Sequence, residues 1–245
     1  MIDPRFSICY QLTPQQYLRF STGTYHQFPD AMYYDKHNGN PDLNPMEAKH
    51  VILGWEYRFE SFLYHVEWYY KWYDHLLLND EDTNYSNHGS GYARGIDTFI
   101  KSDYGFISGW LSYSYLQSKR KEKLYDYLVP TDYDLTHQFK MVTKIEITLL
   151  WNMSASYRYV TGRPFHGGYG LWNTKRDPDY HLLDLSLSYL TSFFRGNLTI
   201  FYLAIGNLTG RKNILSHSYS PDYDQVYTRK SFQKRTVYFG VNFGF

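Results

Sequence analysis

This chain lacks features that mark several common classes of protein. Its single cysteine, Cys9, excludes an internal disulfide and any cysteine-based metal site. The longest uninterrupted apolar run is about six residues, far short of the ~20 that a membrane-spanning helix requires. The formal net charge is only +1, so electrostatics give no reason to expect nucleic acid as a partner. The remaining classes are a soluble β protein and a membrane β-barrel, which hides its hydrophobicity on alternate residues.

Motifs of catalysis and cofactor binding are also missing. The sequence contains no Gly-x-Ser-x-Gly motif, no Gly-rich phosphate loop and no histidine pair with zinc-motif spacing. Histidine does occur beside carboxylates, as at Asp35 and His37, but polar surface loops contain such residues by composition. We therefore predict that the chain is not an enzyme and has neither a metal site nor another cofactor.

Aromatic residues, by contrast, are abundant and make up 20% of the chain. That is more than a soluble core needs, and the aromatic girdles of a membrane barrel would use the excess. The last nine residues alternate between an apolar face and a small or polar face. A closing strand of an outer-membrane barrel needs this pattern and a terminal aromatic, although the edge strand of a soluble sandwich would also alternate. The residues that we predict to support membrane insertion are Phe239, Val241, Phe243 and Phe245.

The same alternation recurs along most of the chain, with almost no helical periodicity. It predicts an all-β fold, an antiparallel transmembrane β-barrel of about eleven strands, at roughly 5–11, 17–25, 46–59, 61–73, 91–102, 105–119, 135–144, 147–160, 179–191, 196–219 and 225–245. Short turns alternate with longer polar connections along the chain. The longer connections lie near 26–45, 74–90, 120–134, 161–178 and 220–224. Tight periplasmic turns and long outer loops are the topology of an outer-membrane barrel, and a soluble sandwich has no reason to keep its long loops at one end.

An odd number of strands has a further consequence. It leaves the N-terminus outside the cell, which a self-contained bacterial barrel avoids, and it leaves the first strand unpaired in lipid. Met1 is followed by Ile-Asp-Pro-Arg, without the basic start or apolar segment of a secretory signal. These features predict a mature chain or a fragment that forms about half of a larger barrel. The alternative is one unrecognised weak strand and a self-contained barrel of about twelve.

Two groups of side chains are candidates for function. Charged residues on the less apolar face of the strands would meet a wet lumen or a domain inside it, although lumen walls also tolerate charge without purpose. These are Arg19, Glu56, Arg58, Glu67, Asp97, Arg158 and Asp184. Aromatic and histidine side chains in the long connections could stack on a ligand. Those near a strand end could instead belong to the aromatic girdle at the membrane interface. The leading candidates of this second group are Tyr33, Tyr34, His37, Phe165, His166 and Trp172.

Over about its last 200 residues the chain resembles the barrel of TonB-dependent receptors of the outer membrane. The segments that resemble this family are Gly91-Tyr-Ala-Arg-Gly-Ile-Asp-Thr-Phe99, Gly109-Trp-Leu-Ser-Tyr-Ser-Tyr115, Tyr159-Val-Thr-Gly-Arg-Pro-Phe165, Asp179-Tyr-His-Leu-Leu-Asp-Leu-Ser-Leu-Ser-Tyr189, Ile205-Gly-Asn-Leu-Thr-Gly-Arg-Lys-Asn213 and the terminal Phe245. Residues 39–50 look like the same family's loop into a mid-barrel strand. Singly these patterns are weak, whereas their order and spacing are fairly specific.

The resemblance implies half of a 22-stranded barrel, with residues 1–245 as the C-terminal part of the barrel domain and no plug domain. It implies a location in the bacterial outer membrane and, as partners, outer-membrane lipid, the missing plug and N-terminal barrel half, and the energy-coupling protein TonB. The implied function is import of a siderophore, cobalamin, glycan or peptide through ligand-binding outer loops. The alternative is a self-contained barrel of about twelve strands, such as a passive channel, an autotransporter translocator or a barrel hydrolase.

Overall fold

The computed structural model describes residues 2–80, 83–122, 127–168, 171–193, 196–222, 224–232 and 234–243. In chain order its strands are β1 (Arg5–Thr13), β2 (Gln16–Gln27), β3 (Met46–Phe59), β4 (Phe62–Asp80), β5 (Asn84–Tyr104), β6 (Ile107–Lys121), β7 (Leu128–Pro130), β8 (His137–Glu146), β9 (Trp151–Val160), β10 (Pro164–Phe165), β11 (Lys175–Arg176), β12 (Tyr180–Phe193), β13 (Asn197–Gly206), β14 (Ile214–Tyr219), β15 (Val226–Lys230) and β16 (Thr236–Phe243). A single turn of 3-10 helix lies at Ala31–Tyr34. Across these ranges, no helix has the length and apolar character needed to cross a membrane.

One large antiparallel sheet contains twelve of the strands. Eleven of them form a continuous path in the order β1-β2-β3-β4-β5-β6-β8-β9-β12-β13-β16, and the short β7 pairs with β6 beside that path. β1 and β16 are the two ends of the path, and within the described residues they do not pair with each other. The predicted all-β fold with about eleven antiparallel strands is therefore confirmed, and the sheet is open, as the odd strand count predicted.

The pairing register gives the sheet two chemically distinct faces, because directly opposed residues of antiparallel strands point the same way. One row runs across five strands through Phe20, Leu53, Trp68, Ile96 and Tyr115. We call the face that contains this row the apolar face. It continues to the last strand, where Leu203 opposes Phe239.

The opposite face, which we call the polar face, contains the neighbouring row. In that row Arg19 opposes Gly54, Gly54 opposes Glu67, and Glu67 opposes Asp97. The described residues do not cover the apolar face, since Leu53 is 50% exposed and Phe239 is 71% exposed. A soluble protein would bury such a surface, whereas a membrane barrel turns it to lipid.

Tight turns join the strands at one edge of the sheet. Glu60 and Gly105 each begin a two-residue turn, and both have positive φ angles, of 43° and 58°. Such turns match the right-handed twist of the flanking strands, and glycine adopts this backbone conformation without strain. The short turns predicted near 12–16, at Glu60, near 103–104 and near 145–146 occur within a few residues of those positions. The fifth, predicted near 192–195, lies partly outside the described residues.

Three of the predicted boundaries at the opposite edge are wrong. Residues 74–90 are not a loop, because β4 and β5 continue as a long hairpin up to Asp80 and Asn84. The strand predicted at 196–219 ends at Gly206, and the strand predicted at 225–245 divides into β15 and β16. The connection predicted at 220–224 therefore spans 207–235 and contains the β14–β15 hairpin.

The end of β13 is set by a residue with a left-handed backbone conformation, which a side chain of the neighbouring strand holds in place. Asn207 has a φ of 50°, and its backbone N–H donates to Asp184 Oδ1 at 2.7 Å. This contact lies where β13 ends, so the strand predicted to continue to residue 219 stops at Gly206.

Candidate functional site

Three connections meet at the edge of the sheet opposite the tight turns. They are the described parts of 122–136, 161–179 and 207–235, and they join β6 to β8, β9 to β12, and β13 to β16. Each contains a short strand or hairpin, so each has fixed backbone geometry from which side chains can reach the others. We call the place where they meet the rim cluster.

Asn173 links two of these connections. Its Nδ2 donates to the backbone oxygen of Pro130 and to Asp132 Oδ1, both at 2.8 Å. Asn173 is only 4% exposed, and its φ of 49° is one that asparagine tolerates better than most residues. Among the described residues its Oδ1 atom has no hydrogen-bond partner although it is buried. The rim cluster therefore contains a buried acceptor that a hydrogen-bond donor could satisfy.

Arg176 ties the same two connections together by charge. Its Nη2 lies 2.7 Å from Asp134 Oδ2, and its Nη1 donates to the backbone oxygens of Asp134 and Gly162. Asp134 is 4% exposed, and its Oδ1 also accepts the backbone N–H of Ser118. A buried carboxylate with this many donors is fully compensated, so this part of the rim cluster is rigid.

The third connection is held by His217 and Asp177. His217 Nε2 lies 2.7 Å from Asp177 Oδ1, and both side chains are more than nine-tenths buried. The ring of Phe165 stacks on His217 with centroids 4.3 Å apart. The β14–β15 hairpin is thereby fixed against the segment that contains β10 and β11.

An aromatic surface lies beside these contacts. The ring of His166 packs against Trp172 at a centroid distance of 3.8 Å and against Tyr219 at 5.2 Å. The backbone N–H of His166 donates to the Tyr219 hydroxyl at 3.1 Å, and His166 Nδ1 accepts the backbone N–H of Asn173. Burial lowers the pKa of His166, which favours the neutral imidazole. A set of packed aromatic rings with a neutral imidazole suits a ligand with flat groups.

The structure thus brings together three of the six predicted ligand-binding residues, Phe165, His166 and Trp172. The other three, Tyr33, Tyr34 and His37, lie in the connection between β2 and β3. Tyr33 packs edge-on against Tyr85 of the β4–β5 hairpin at 4.9 Å, and the Tyr34 hydroxyl is buried without a partner among the described residues. Tyr169 and Tyr223, two further loop aromatics of the same kind, are outside the described residues.

His37 is exposed at the surface of this second group. Its backbone N–H and that of Asn38 donate to Asp35 Oδ1, at 2.9 and 2.8 Å, and they lower the pKa of the Asp35 carboxyl. The turn around His37 is therefore ordered, while its imidazole remains accessible.

Several residues of the rim cluster were not predicted as site residues from the sequence, among them Asn173, Arg176, His217 and Tyr219. His217 and Tyr219 fell inside the strand wrongly predicted at 196–219. Asn173 and Arg176 act through partners 41 and 42 residues away in the chain, and no local pattern signals such pairs.

The seven predicted lumen-facing charges all lie on the polar face of the sheet. Four of them form one network, in which Glu56 lies 2.7 Å from Arg58 and 3.4 Å from Arg19, and His65 reaches Glu67 at 3.2 Å. Asp184 instead holds the backbone of Asn207, as described above. That these charges face a lumen or a plug remains a prediction.

At the last strand, Phe239, Val241 and Phe243 lie on the apolar face, and Phe245 is outside the described residues. Their role in membrane insertion also remains a prediction. Within the residues that the structure describes, no group of three or more His, Cys, Asp or Glu side chains could hold a metal ion.

Comparison with known proteins gives the following findings. A family model described as TonB dependent receptor-like, beta-barrel, matches residues 2–208. The closed form of the ferric-catecholate import receptor Fiu from E. coli K12 is similar, with a TM-score of 0.77, 16% identity, and 98% of this chain but 34% of that chain covered. The siderophore receptor PiuA from Acinetobacter baumannii is similar at 0.72, with 17% identity and coverage of 98% and 35%.

The ferric yersiniabactin uptake receptor FyuA from Yersinia pestis is also similar, at a TM-score of 0.71, with 16% identity and coverage of 97% and 36%. At these identities the similarity shows the fold. The chain spans about a third of the length of each of these structures.

Proposed function

Because the chain belongs to the TonB-dependent receptor-like β-barrel family, we propose that it forms the C-terminal half of the barrel wall of an outer-membrane receptor that imports a ferric siderophore. The family is one of outer-membrane receptors, and the proposal assigns this chain its place within such a receptor. It makes the chain part of a transporter, with no catalytic role of its own.

The observation that carries the proposal is the open sheet. Eleven strands follow one another in order, and β1 and β16 end the path without pairing to each other in the described part of the chain. Unpaired backbone groups in hydrocarbon each cost several kcal/mol, so an open edge cannot be stable in a bilayer. Further strands, supplied by residues other than these 245, would close the barrel. A plug inside it would meet the polar face and would receive energy from TonB.

The substrate class is supported by the structural neighbours and by the rim cluster. The similar structures are named as receptors for a ferric catecholate, a siderophore and ferric yersiniabactin. In this chain His166, Trp172 and Tyr219 offer a group of packed rings on the side of the long connections. Such a surface suits the aromatic and amide groups of a siderophore better than it suits a glycan, cobalamin or an extended peptide.

Uptake of radioactive iron tests the proposal. The chain would be co-expressed with the segment that completes its receptor in a strain without other siderophore receptors. We expect uptake of at least one class of ferric siderophore, and its loss when TonB is removed. Uptake that survives removal of TonB, or no uptake of any siderophore by an assembled receptor, would refute the function proposed.

A matched pair of variants tests the rim cluster. Trp172→Ala should raise the siderophore concentration for half-maximal uptake by about tenfold, since loss of a buried aromatic contact costs on the order of 1–2 kcal/mol. Tyr104→Ala, which removes an exposed aromatic at the opposite edge of the sheet, should leave uptake unchanged. Equal effects of the two substitutions would place ligand recognition elsewhere.

A further inference from the structure

The lysine and arginine side chains of the large sheet are distributed unevenly between its two faces. In the described strands of that sheet the register places nine of them on the polar face: Arg5, Arg19, Arg58, Lys71, Lys101, Arg120, Lys140, Lys144 and Arg158. Four lie on the apolar face, Lys49, Arg94, Lys119 and Lys121, and all four belong to β3, β5 and β6. Charge on a lipid-facing surface is unfavourable, so this local concentration requires an explanation.

Three of these cations surround a group of aromatic rings. Lys49 opposes Trp72, Trp72 opposes Tyr92, and Tyr92 opposes Lys119, so the four side chains form one row across β3, β4, β5 and β6. With neighbouring strands about 4.8 Å apart, the row spans about 14 Å. Arg94 lies in the adjacent row, opposite Tyr70 and Gln117.

The patch lies at the border of the apolar surface, on the side of the long connections. The next row away from those connections contains Leu53, Trp68 and Ile96, which are 50%, 43% and 41% exposed. On the other side, Glu47 opposes Asp74. Arg94 therefore lies one row above the exposed hydrocarbon-facing side chains, and Lys49 and Lys119 lie two rows above them, where a bilayer would place its headgroups.

Two of the cations have no counter-ion within the part of the chain that the structure describes. Lys49 lies 2.7 Å from Glu47. Arg94 donates to Gln117 Oε1 at 2.8 Å, and its guanidinium lies 5.4 Å from the centroid of the Tyr92 ring. Among the described residues, neither Arg94 nor Lys119 has a carboxylate within ion-pair distance. Their charges are available to an anion from outside the chain.

A groove beside the same row gives space for the rest of a ligand. It has a volume of about 630 Å³, and its lining includes Phe6, Thr22, Thr24, Lys49, Trp72 and Asp74. All six belong to the apolar face, or to the ends of strands that continue it. Its walls are mostly apolar, with polar groups at the end nearest the long connections.

We propose that this surface, made of Lys49, Arg94 and Lys119 with Tyr70, Trp72 and Tyr92, binds the phosphate-bearing headgroup of an anionic membrane lipid. Arg94 and Lys119 pair with the phosphate oxygens, and the aromatic rings contact the glycerol or sugar part of the headgroup. The groove lies level with the cations and takes part of the headgroup, while the acyl chains extend away from the long connections over Leu53, Trp68 and Ile96. The inference depends on the placement of the apolar face in a membrane and not on which substrate the receptor imports.

Quenching of Trp72 fluorescence by brominated lipid tests the inference directly. The chain, assembled with the segment that completes its barrel, is reconstituted into phosphatidylcholine bilayers that contain a minority of brominated phosphatidylglycerol. A parallel sample contains brominated phosphatidylcholine at the same fraction. The signal of Trp72 is obtained by subtracting the emission of the Trp72→Phe variant. We expect phosphatidylglycerol to be enriched beside Trp72 by about fivefold or more, since each cation near the surface contributes a factor of that order.

Two triple variants with equal loss of charge provide the comparison. Lys49→Gln, Arg94→Gln and Lys119→Gln together should remove the enrichment. Lys71→Gln, Lys101→Gln and Lys144→Gln, which take three cations from the polar face, should preserve it. Equal quenching of Trp72 by the two brominated lipids, or equal loss of enrichment in both variants, would overturn the proposal.

If the first triple variant assembles poorly, the unmodified receptor still decides the question. Native mass spectrometry would count the phospholipid that remains bound after extraction in mild detergent, and the absence of any retained anionic lipid would contradict the site. Because neither readout measures uptake, failure of siderophore import leaves this test intact, and failure of lipid binding leaves the transport proposal standing.

Discussion

At the scale of single residues, a shift of one position along a strand changes the environment of a side chain completely. Leu185 lies between Ala155 and Ile205 on the apolar face, whereas Ser186 lies between Ser154 and Ala204 on the polar face. The two positions share a strand, a depth and a pair of neighbouring strands. Any difference in how they tolerate charge therefore comes from the solvent that each face meets.

Leu185→Arg should impair folding into bilayers far more than Ser186→Arg. A charge at the lipid-facing midplane costs roughly 2–4 kcal/mol, while a lumen-facing arginine stays hydrated. The free energy of folding into phosphatidylcholine vesicles, measured with the complete barrel, gives the comparison. If the two variants lose equal stability, the assignment of the apolar face to lipid is wrong.

Also at this scale, His166 makes the rim cluster sensitive to acid. Burial lowers the pKa of His166, so the folded cluster favours the neutral ring. The folded state therefore has its full stability above the ordinary histidine pKa of about 6.5. Part of this stability is lost as the pH falls from about 6.5 through the lowered pKa of His166. Because the ring contacts Trp172, the emission of Trp172 should change over this acidic range. The His166→Phe variant should lack the change, and an identical titration in that variant would exclude His166 as its source.

At the scale of elements, the β4–β5 hairpin supports the connection between β2 and β3. Asn87 on β5 accepts the backbone N–H of Asn44 at 2.6 Å and donates to the backbone oxygens of Asn44 and His75, at 3.0 and 2.9 Å. Asn84 donates in the same way to Gly39 at 3.1 Å. A hairpin that extends beyond the sheet thus fixes the loop that contains Tyr33, Tyr34 and His37.

Asn87→Ala should loosen residues 28–45 and leave the sheet intact. The substitution leaves several backbone groups without partners, at about 1–3 kcal/mol for each one that stays buried. Amide hydrogen exchange should become faster in 28–45 but not in β3. Asn38→Ala is the control, because Asn38 donates to Asp35 Oδ1 through its backbone N–H, which the substitution keeps. Unchanged exchange in the Asn87 variant would mean that the loop is held by other contacts.

At the scale of the whole molecule, the two open edges of the sheet determine how the chain can assemble. β1 exposes apolar side chains such as Phe6 and Ile8, and its outer backbone groups have no neighbouring strand among the described residues. In a bilayer those groups are strongly unfavourable, and in water the apolar face favours association. The assembly of this chain therefore depends on the strands that cover β1 and β16.

Expressed behind a signal peptide without the rest of a receptor, the 245 residues should aggregate or insert wrongly. Co-expression with an N-terminal segment that supplies the missing strands and a plug should rescue assembly. Recovery of heat-modifiable protein in the outer-membrane fraction measures this, with a segment that lacks the strands adjoining β1 as the control. Energy-dependent uptake by the 245 residues alone would contradict the half-barrel assignment, and a stable single-channel conductance would support a self-contained pore.

Much of the fold was determined by the sequence alone, because the side chains of a strand alternate between two faces with a period of two. Leu185 and Leu187 against Ser186 and Ser188, or Tyr157 against Arg158, identify strand and face without any knowledge of neighbours. Turn positions such as Glu60 were equally local. The contacts of the rim cluster were not, since Asn173 reaches Asp132 across 41 residues and His166 reaches Tyr219 across 53.

Only the tertiary structure decided where β13 ends and which loop residues meet. Asn207 leaves the strand because Asp184, on the neighbouring strand, accepts its backbone N–H. The row of Lys49, Trp72, Tyr92 and Lys119 likewise exists only through the pairing register of four strands. A periodic pattern specifies the direction of each side chain. The partner of that side chain depends on how the strands align, and a tight turn fixes that alignment only within its own hairpin.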